Sequence, residues 1–185
     1  MPLRNSPQDY GSIARAAHWA TALFVFVAWP LGMFREVFPR GAARDADIFV
    51  HMSLGLGVLL LLVLRLVWRA LDPPPPALQA PRVEPWLTYA AKAGHGLLYL
   101  LLLATPVLGV TLQFSLGHPL PVFGLFEIPS PWAFDRPFFR QVIEAHQLAG
   151  DALCVLAIGH AAAALFHHWA LGDRTLARML PGITR

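Results

Sequence analysis

The chain of 185 residues is 56% apolar and 14% charged, with a formal net charge of +3 and a mean hydropathy of +0.53, which excludes an ordinary soluble globular domain. A disulfide scaffold, a thiolate metal cluster and covalent C-x-x-C-H haem attachment are excluded too, because Cys154 stands alone inside an apolar run. The basic balance calls for no nucleic-acid partner, since a membrane bundle that retains its basic loops on the inner face has the same composition.

Taken in chain order, the few charges fence off four apolar runs, each comparable with the roughly 20 residues a helix needs to cross a bilayer. The first is uncharged from Ala16 to Phe34. Basic residues precede it, but it ends in PLGMFREVF rather than at a small-residue cleavage site, so it reads as a retained helix over about 14–34. The second run, Ile48 to Leu64, predicts a helix over about 48–70. The Pro-rich DPPPPALQAPRVEP (72–85) then breaks the chain. The third run begins at Ala93, after Lys92, and predicts a helix over about 91–115, and GHPLPVFGLFEIPSPWAFDRP (117–137) is again no helix. The fourth run, Ala145 to Gly172, is interrupted only by Asp151 and predicts a helix over about 142–171. The expected architecture is one domain over residues 1–185, an all-α integral membrane four-helix bundle.

Four spans place both termini on one side. That side holds Arg4, Arg15, Arg65, Arg69, Arg82, Lys92, Arg174, Arg178 and Arg185, against Arg35, Arg40, Arg44, Arg136 and Arg140 on the other. Cytoplasmic loops carry the excess of Lys and Arg, so both termini are expected in the cytoplasm of a bacterial inner membrane.

Histidines inside spans are functional hypotheses by default. His51 lies four residues inside Asp47 and His146 two inside Glu144, both near the outer surface. His18 lies seventeen residues below Arg35 and His160 sixteen below Glu144, both in the inner half. Two depth-matched pairs result. Fourteen residues from His146 to His160 make a rise of about 21 Å and an offset of about 40°, so both imidazoles face the same side. Facing histidines at one level suit axial ligation of haem iron, and two levels imply two non-covalent, bis-His b-type haems that divide a core of about 30 Å. With both axial positions filled, electron transfer is the chemistry left. Gly55, Gly57, Gly150 and Gly159 offer room for a macrocycle, though glycine also serves plain helix packing. Zinc or di-iron sites fit less well, because they gather ligands at one level.

The stretches ARAAHWATAL, FREVFPR, IFVHMSLG, AGHGLLYLLLLATPVLG, EAHQLAGDALCVLAIGHAAAALFHH and TLARMLPG resemble the prokaryotic cytochrome b561 family over nearly the whole chain. Within that family the resemblance is to the superoxide oxidase type. It implies that His18 and His160 ligate an inner haem and His51 and His146 an outer one. It also implies that periplasmic superoxide is oxidised to oxygen and ubiquinone is reduced at the cytoplasmic side, with protons from the cytoplasm.

Superoxide is an anion, so its site should present positive charge. Arg35, Arg40 and Arg136, with Arg44 and Arg140, are the candidates, against Glu36, Asp45, Asp47, Glu127, Asp135 and Glu144 on the same side. His167, two turns beyond His160, is the candidate quinone contact, with Arg15 and Arg174 near that surface. His95 opens the third helix and is expected to meet a haem propionate or the quinone. His168 reads as interfacial beside Trp169, His118 as a solvated loop residue, and Asp151 as a propionate contact, a proton-uptake group or a snorkelling side chain. The alternative to a superoxide:ubiquinone oxidoreductase is an electron-transfer subunit that relays electrons from a periplasmic dehydrogenase or hydrogenase partner to quinone.

Overall fold

The computed structural model describes residues 2–76, 78 and 85–180. Arg82, half of the Pro-rich connection and Arg185 lie outside them. Four long helices dominate: α1 (Ser12–Met33), α2 (Ala42–Leu71), α3 (Pro85–Ser115) and α4 (Arg136–Phe166). A short 3-10 turn, Arg35–Val37, joins α1 to α2, and a π-helical turn, His167–Leu171, prolongs α4.

α2, α3 and α4 each begin about six residues earlier than the charge fences suggest. The reason is local. Gly41, with φ 99°, makes a reversal only glycine adopts easily, and the helix then takes Arg44, Asp45 and Asp47 into its first turns. At α4, Asp135 accepts a hydrogen bond from the Phe138 N–H at 3.1 Å, and Pro137 supplies the preset φ of a first turn. Charged residues end an apolar run without ending a helix.

Between α3 and α4 lies an element no periodicity announced, a two-stranded antiparallel hairpin of β1 (Leu120–Val122) and β2 (Phe126–Ile128), in register Leu120↔Ile128. Its turn is closed by the Leu125 N–H on the Val122 carbonyl at 3.0 Å. Both central residues have positive φ, 52° at Phe123 and 72° at Gly124, the geometry that matches strand twist.

α1 lies along α2 and α3 along α4; α2 also meets α3, α1 and α4 touch less, and the diagonal pairs α1–α3 and α2–α4 stay apart among the described residues. A methyl on Gly57 would fall 2.5 Å from the Phe24 ring, so α1 and α2 close on each other there. Val25, Val58, Leu62, Leu102 and Leu153 form the core, one or two from each helix. The outward faces are equally apolar: Leu23, Leu60, Leu64, Leu100, Val155 and Ile158 are all more than half exposed. No soluble surface carries so much contiguous hydrocarbon, and all four helices are long and apolar enough to cross a membrane.

One end of the bundle is tied by its tails. Asn5 bonds the Asp72 carboxylate, Trp19 donates to the Met179 carbonyl, and Arg174 meets Asp9. Arg178 is 6% exposed; it donates to the carbonyls of Gln8 and Pro76 and lies over the Tyr10 ring. The chain's two tails thus close the same face, called the tail side below; the β-hairpin marks the other.

Candidate haem-binding centre

Two histidine pairs stand at two levels between the helix pairs. On the hairpin side, His51 of α2 faces His146 of α4 with ring centres 6.0 Å apart. On the tail side, His18 of α1 faces His160 of α4 at 6.2 Å. A metal–imidazole bond of about 2.0 Å, with about 1.1 Å from ring nitrogen to ring centre, sets two axial imidazoles about 6 Å apart. Both pairs meet that requirement.

The hairpin-level rings are held by backbone. His51 Nδ1 donates to the Ala28 carbonyl of α1 at 2.8 Å, and His146 Nδ1 donates to the Thr105 carbonyl of α3 at 3.0 Å. A carbonyl only accepts, so the proton sits on Nδ1 and the Nε2 lone pair is left free, the state a metal ligand requires. Glycine makes the approach possible. A Cβ on Gly32 would fall 2.8 Å from His51 Cε1, and one on Gly109 3.1 Å from His146 Cε1. Neither glycine stood out in the sequence; the signal was their place one helix across from a histidine, which needs the packing to be known.

At the tail level a third imidazole joins. His95 of α3 packs edge-on against His160 with centres 5.2 Å apart. Arg65 of α2 stacks over the Tyr99 ring of α3 at 5.6 Å, one turn from His95. All four helices therefore contribute there. Between the levels lies the apolar core: Leu153 is seven residues from each of His146 and His160, and Val58 is seven from His51. Each lies about 10 Å along its helix from a histidine level.

Of the glycines expected to leave room for a macrocycle, Gly55 and Gly159 face open space, and Gly150 has only the Thr105 methyl at 3.9 Å. Gly57 does not: Phe24 fills its side, and it serves helix packing. Among the described residues no group of three or more His, Cys, Asp or Glu could hold a metal ion.

His167 has a partner that sequence spacing did not reveal. Its Nδ1 donates to Asp173 Oδ2 at 2.5 Å. Gly172, with φ 69°, turns the chain back, and the Asp173 N–H caps the His167 carbonyl. Burial works to raise the Asp173 value, but hydrogen bonds from His167 and Thr175 outweigh it and hold the carboxyl below the ordinary carboxylate range. His168, read as an ordinary interfacial residue, instead has its Nδ1 buried without a partner. Asp151 accepts from Trp29 Nε1 at 2.8 Å, so its partner is a tryptophan on α1. His118 is exposed. Arg15 Nε is buried without a partner, and Arg174 is spent on Asp9.

The arginines expected to attract an anion do not converge. Arg35 and Arg44 both contact Glu36, at 3.5 and 3.1 Å, while Arg40, Arg136 and Arg140 are exposed and make no ion pair among the described residues. Close by, a cavity of about 380 Å³ is lined by Asp45, Glu127, Phe49, Met52, Leu125 and Phe126.

The profile described as prokaryotic cytochrome b561 matches residues 9–182. Over 182 residues the chain is 35% identical to cytochrome b561 homolog 2 of Escherichia coli, covering 97% of this chain and 95% of that protein. It is 32% identical over 176 residues to the probable superoxide oxidase CybB of Yersinia pestis, covering 94% and 97%. Cytochrome b562 of Cereibacter sphaeroides is 30% identical over 180 residues, covering 92% and 94%. Matched from end to end, with four membrane-length helices, the chain belongs to the prokaryotic cytochrome b561 family of membrane electron-transfer proteins, a membership that implies b-type haem.

Proposed function

We propose that the protein is a di-haem b cytochrome that moves electrons across the bacterial inner membrane to ubiquinone. The observation that carries this reading is the repetition of one geometry at two depths: paired imidazoles with centres 6.0 and 6.2 Å apart. When bound, haem supplies a one-electron iron couple at each level.

His51 and His146 would hold the haem near the periplasm and His18 and His160 the one near the cytoplasm, with the tail side inward by its excess of arginine. His95 is the rival for His160, but its 5.2 Å separation is too short for two rings on opposite sides of one iron. It stands beside the axial ligand instead, where a haem edge or a quinone can meet it.

The donor we favour is superoxide, on the strength of the name carried by the Yersinia relative. Two superoxide anions, one ubiquinone and two protons give two molecules of oxygen and one quinol. The chain's part at the cytoplasmic face is the proton side of that balance. His167, its Nδ1 fixed by Asp173, would donate from Nε2 to a quinone carbonyl only as the doubly protonated imidazolium, with the Asp173 carboxylate as its counter-charge. On the periplasmic face Arg40 and Arg136 are the exposed positive groups without an ion pair among the described residues, and Arg35 is shared with Glu36.

A second reading has its own observation. The hairpin-side cavity carries two carboxylates, Asp45 and Glu127, beside exposed Leu125 and Phe126. It repels a small anion and suits a basic, partly apolar protein surface, as an electron-transfer subunit docking a periplasmic dehydrogenase or hydrogenase would need.

The deciding experiment adds superoxide to the purified, oxidised cytochrome, with and without ubiquinone, and follows the haem bands. Reduction faster than spontaneous disproportionation, followed by reoxidation with quinone, supports the oxidase. Absence of reduction by superoxide, with rapid reduction by quinol, leaves the electron-transfer subunit.

A further inference from the structure

We propose that α2 biases the electron path: Asp47 disfavours an electron at the hairpin level and Arg65 favours one at the tail level, so transfer runs inward. The inference rests on the two-haem reading above.

Asp47 is 6% exposed, and neither carboxylate oxygen has a hydrogen-bond partner. Neither Asp47 nor Arg65 makes an ion pair among the described residues. A buried, unpaired carboxylate is costly, and its retention calls for a counter-charge. The iron–porphyrin core of a b-type haem with two neutral imidazoles would provide one, because that core, its propionates apart, carries one net positive charge when the iron is oxidised and none when reduced. A fixed anion beside it therefore favours the oxidised form and a fixed cation the reduced form.

The spacing along α2 places the two charges accordingly. Asp47 precedes His51 by four residues, one helical turn. Arg65 follows His51 by fourteen, the same interval that separates His146 from His160 on α4. Eighteen residues from Asp47 to Arg65 make five turns, so both lie on one face of α2, about 27 Å apart. The Arg65 guanidinium lies over the Tyr99 ring at 5.6 Å, and Tyr99 is one turn from His95, whose ring packs against His160.

Neighbouring charges reinforce the pattern. Asp151, five residues from His146, adds a second carboxylate in the hairpin-side half, and Arg15, three residues from His18, adds a cation at the tail side. Arg35 and Arg44 share Glu36 and leave one positive charge over, at an exposed carboxylate where solvent and salt screen it. Complementing the α2 macrodipole does not account for the pair, since that effect fades within the terminal turn. Asp47 lies six residues from the Gly41 cap and Arg65 six from Leu71.

The test is optical redox potentiometry of the purified full-length holoprotein, with His51→Ala and His18→Ala used to assign the two levels. Asp47→Asn is expected to raise the hairpin-level potential and Arg65→Gln to lower the tail-level one. Each shift is expected to be about tenfold in the electron-sharing equilibrium, about 59 mV for a one-electron couple. Arg65→Lys should keep the parental value, which a merely structural arginine would not ensure. Two haems per chain with both potentials unmoved, or moved oppositely, overturns the inference and leaves the two-haem reading intact. Fewer than two haems in the unmodified protein overturns that reading and the inference with it. Should Arg65→Gln fail to assemble, Asp47→Asn alone decides.

Discussion

The hairpin-level and tail-level histidine pairs present nearly the same ring separation but are supported differently. His51 and His146 are each locked through Nδ1 to a carbonyl of a neighbouring helix and backed by a glycine. His18 and His160 show no such lock among the described residues; His95 packs on His160, and Arg65 lies over Tyr99, one turn from His95. One level is oriented by backbone before any cofactor arrives. The other is a polar cluster whose rings are free to adjust to what enters. Support from outside the ligand set commonly governs metal affinity by one to two orders of magnitude, so the two levels should behave unequally.

The strongest way to break that comparison is to remove ligands. His146→Ala and His160→Ala should each reduce haem from two per chain to one, read by pyridine haemochrome, and haem titrated into apoprotein should fill the hairpin level first. Filling of the tail level first would reverse the assignment of pre-organisation. Next come the glycines. Gly32→Ala or Gly109→Ala should cost about 1–3 kcal/mol by overpacking against His51 or His146, seen as a lower melting temperature and an altered low-spin signal from the hairpin level alone. Gly96→Ala, which meets open space at the tail level, should leave both unchanged.

A smaller effect is expected at His95. Its change to Leu should keep both haems while moving the tail-level spectrum; loss of a whole haem would make His95 the partner of His160. At the tail-side surface, Asp173 tests the clasp on His167. Its folded value lies below its unfolded one of about 3.9, so its stabilisation is complete above that pH and is lost as pH falls through the lower folded value. The melting-temperature gap between the parent and Asp173→Asn should therefore stay constant from pH 7 to 5 and close only in stronger acid. The smallest effect belongs to the exposed arginines. Single changes of Arg35, Arg40 or Arg136 to Gln should slow superoxide-driven haem reduction by less than about tenfold and flatten its salt dependence.

Much of this was legible in one dimension. Charge fences separated by helix-length apolar runs revealed the spans, because a bilayer penalises charge wherever it falls within the hydrocarbon. The fences misplaced the starts of α2, α3 and α4; Gly41 and Asp135 begin α2 and α4 by backbone geometry and hydrogen bonding rather than by hydropathy. The hairpin at Val122–Leu125 went unseen because Phe123-Gly124 is a poor version of the usual turn dipeptides.

Helix count, the two histidine levels and the pairing of His51 with His146 and His18 with His160 followed from the sequence by itself, because rise per residue converts position into depth. Only the tertiary structure decided what stands beside each ring: the carbonyls of Ala28 and Thr105, the glycines 32 and 109, the His95 edge, and Asp173 on His167. Depth is a property of one helix at a time. Neighbourhood depends on how helices rotate and pack against one another, and that is settled by contacts between residues far apart in the chain.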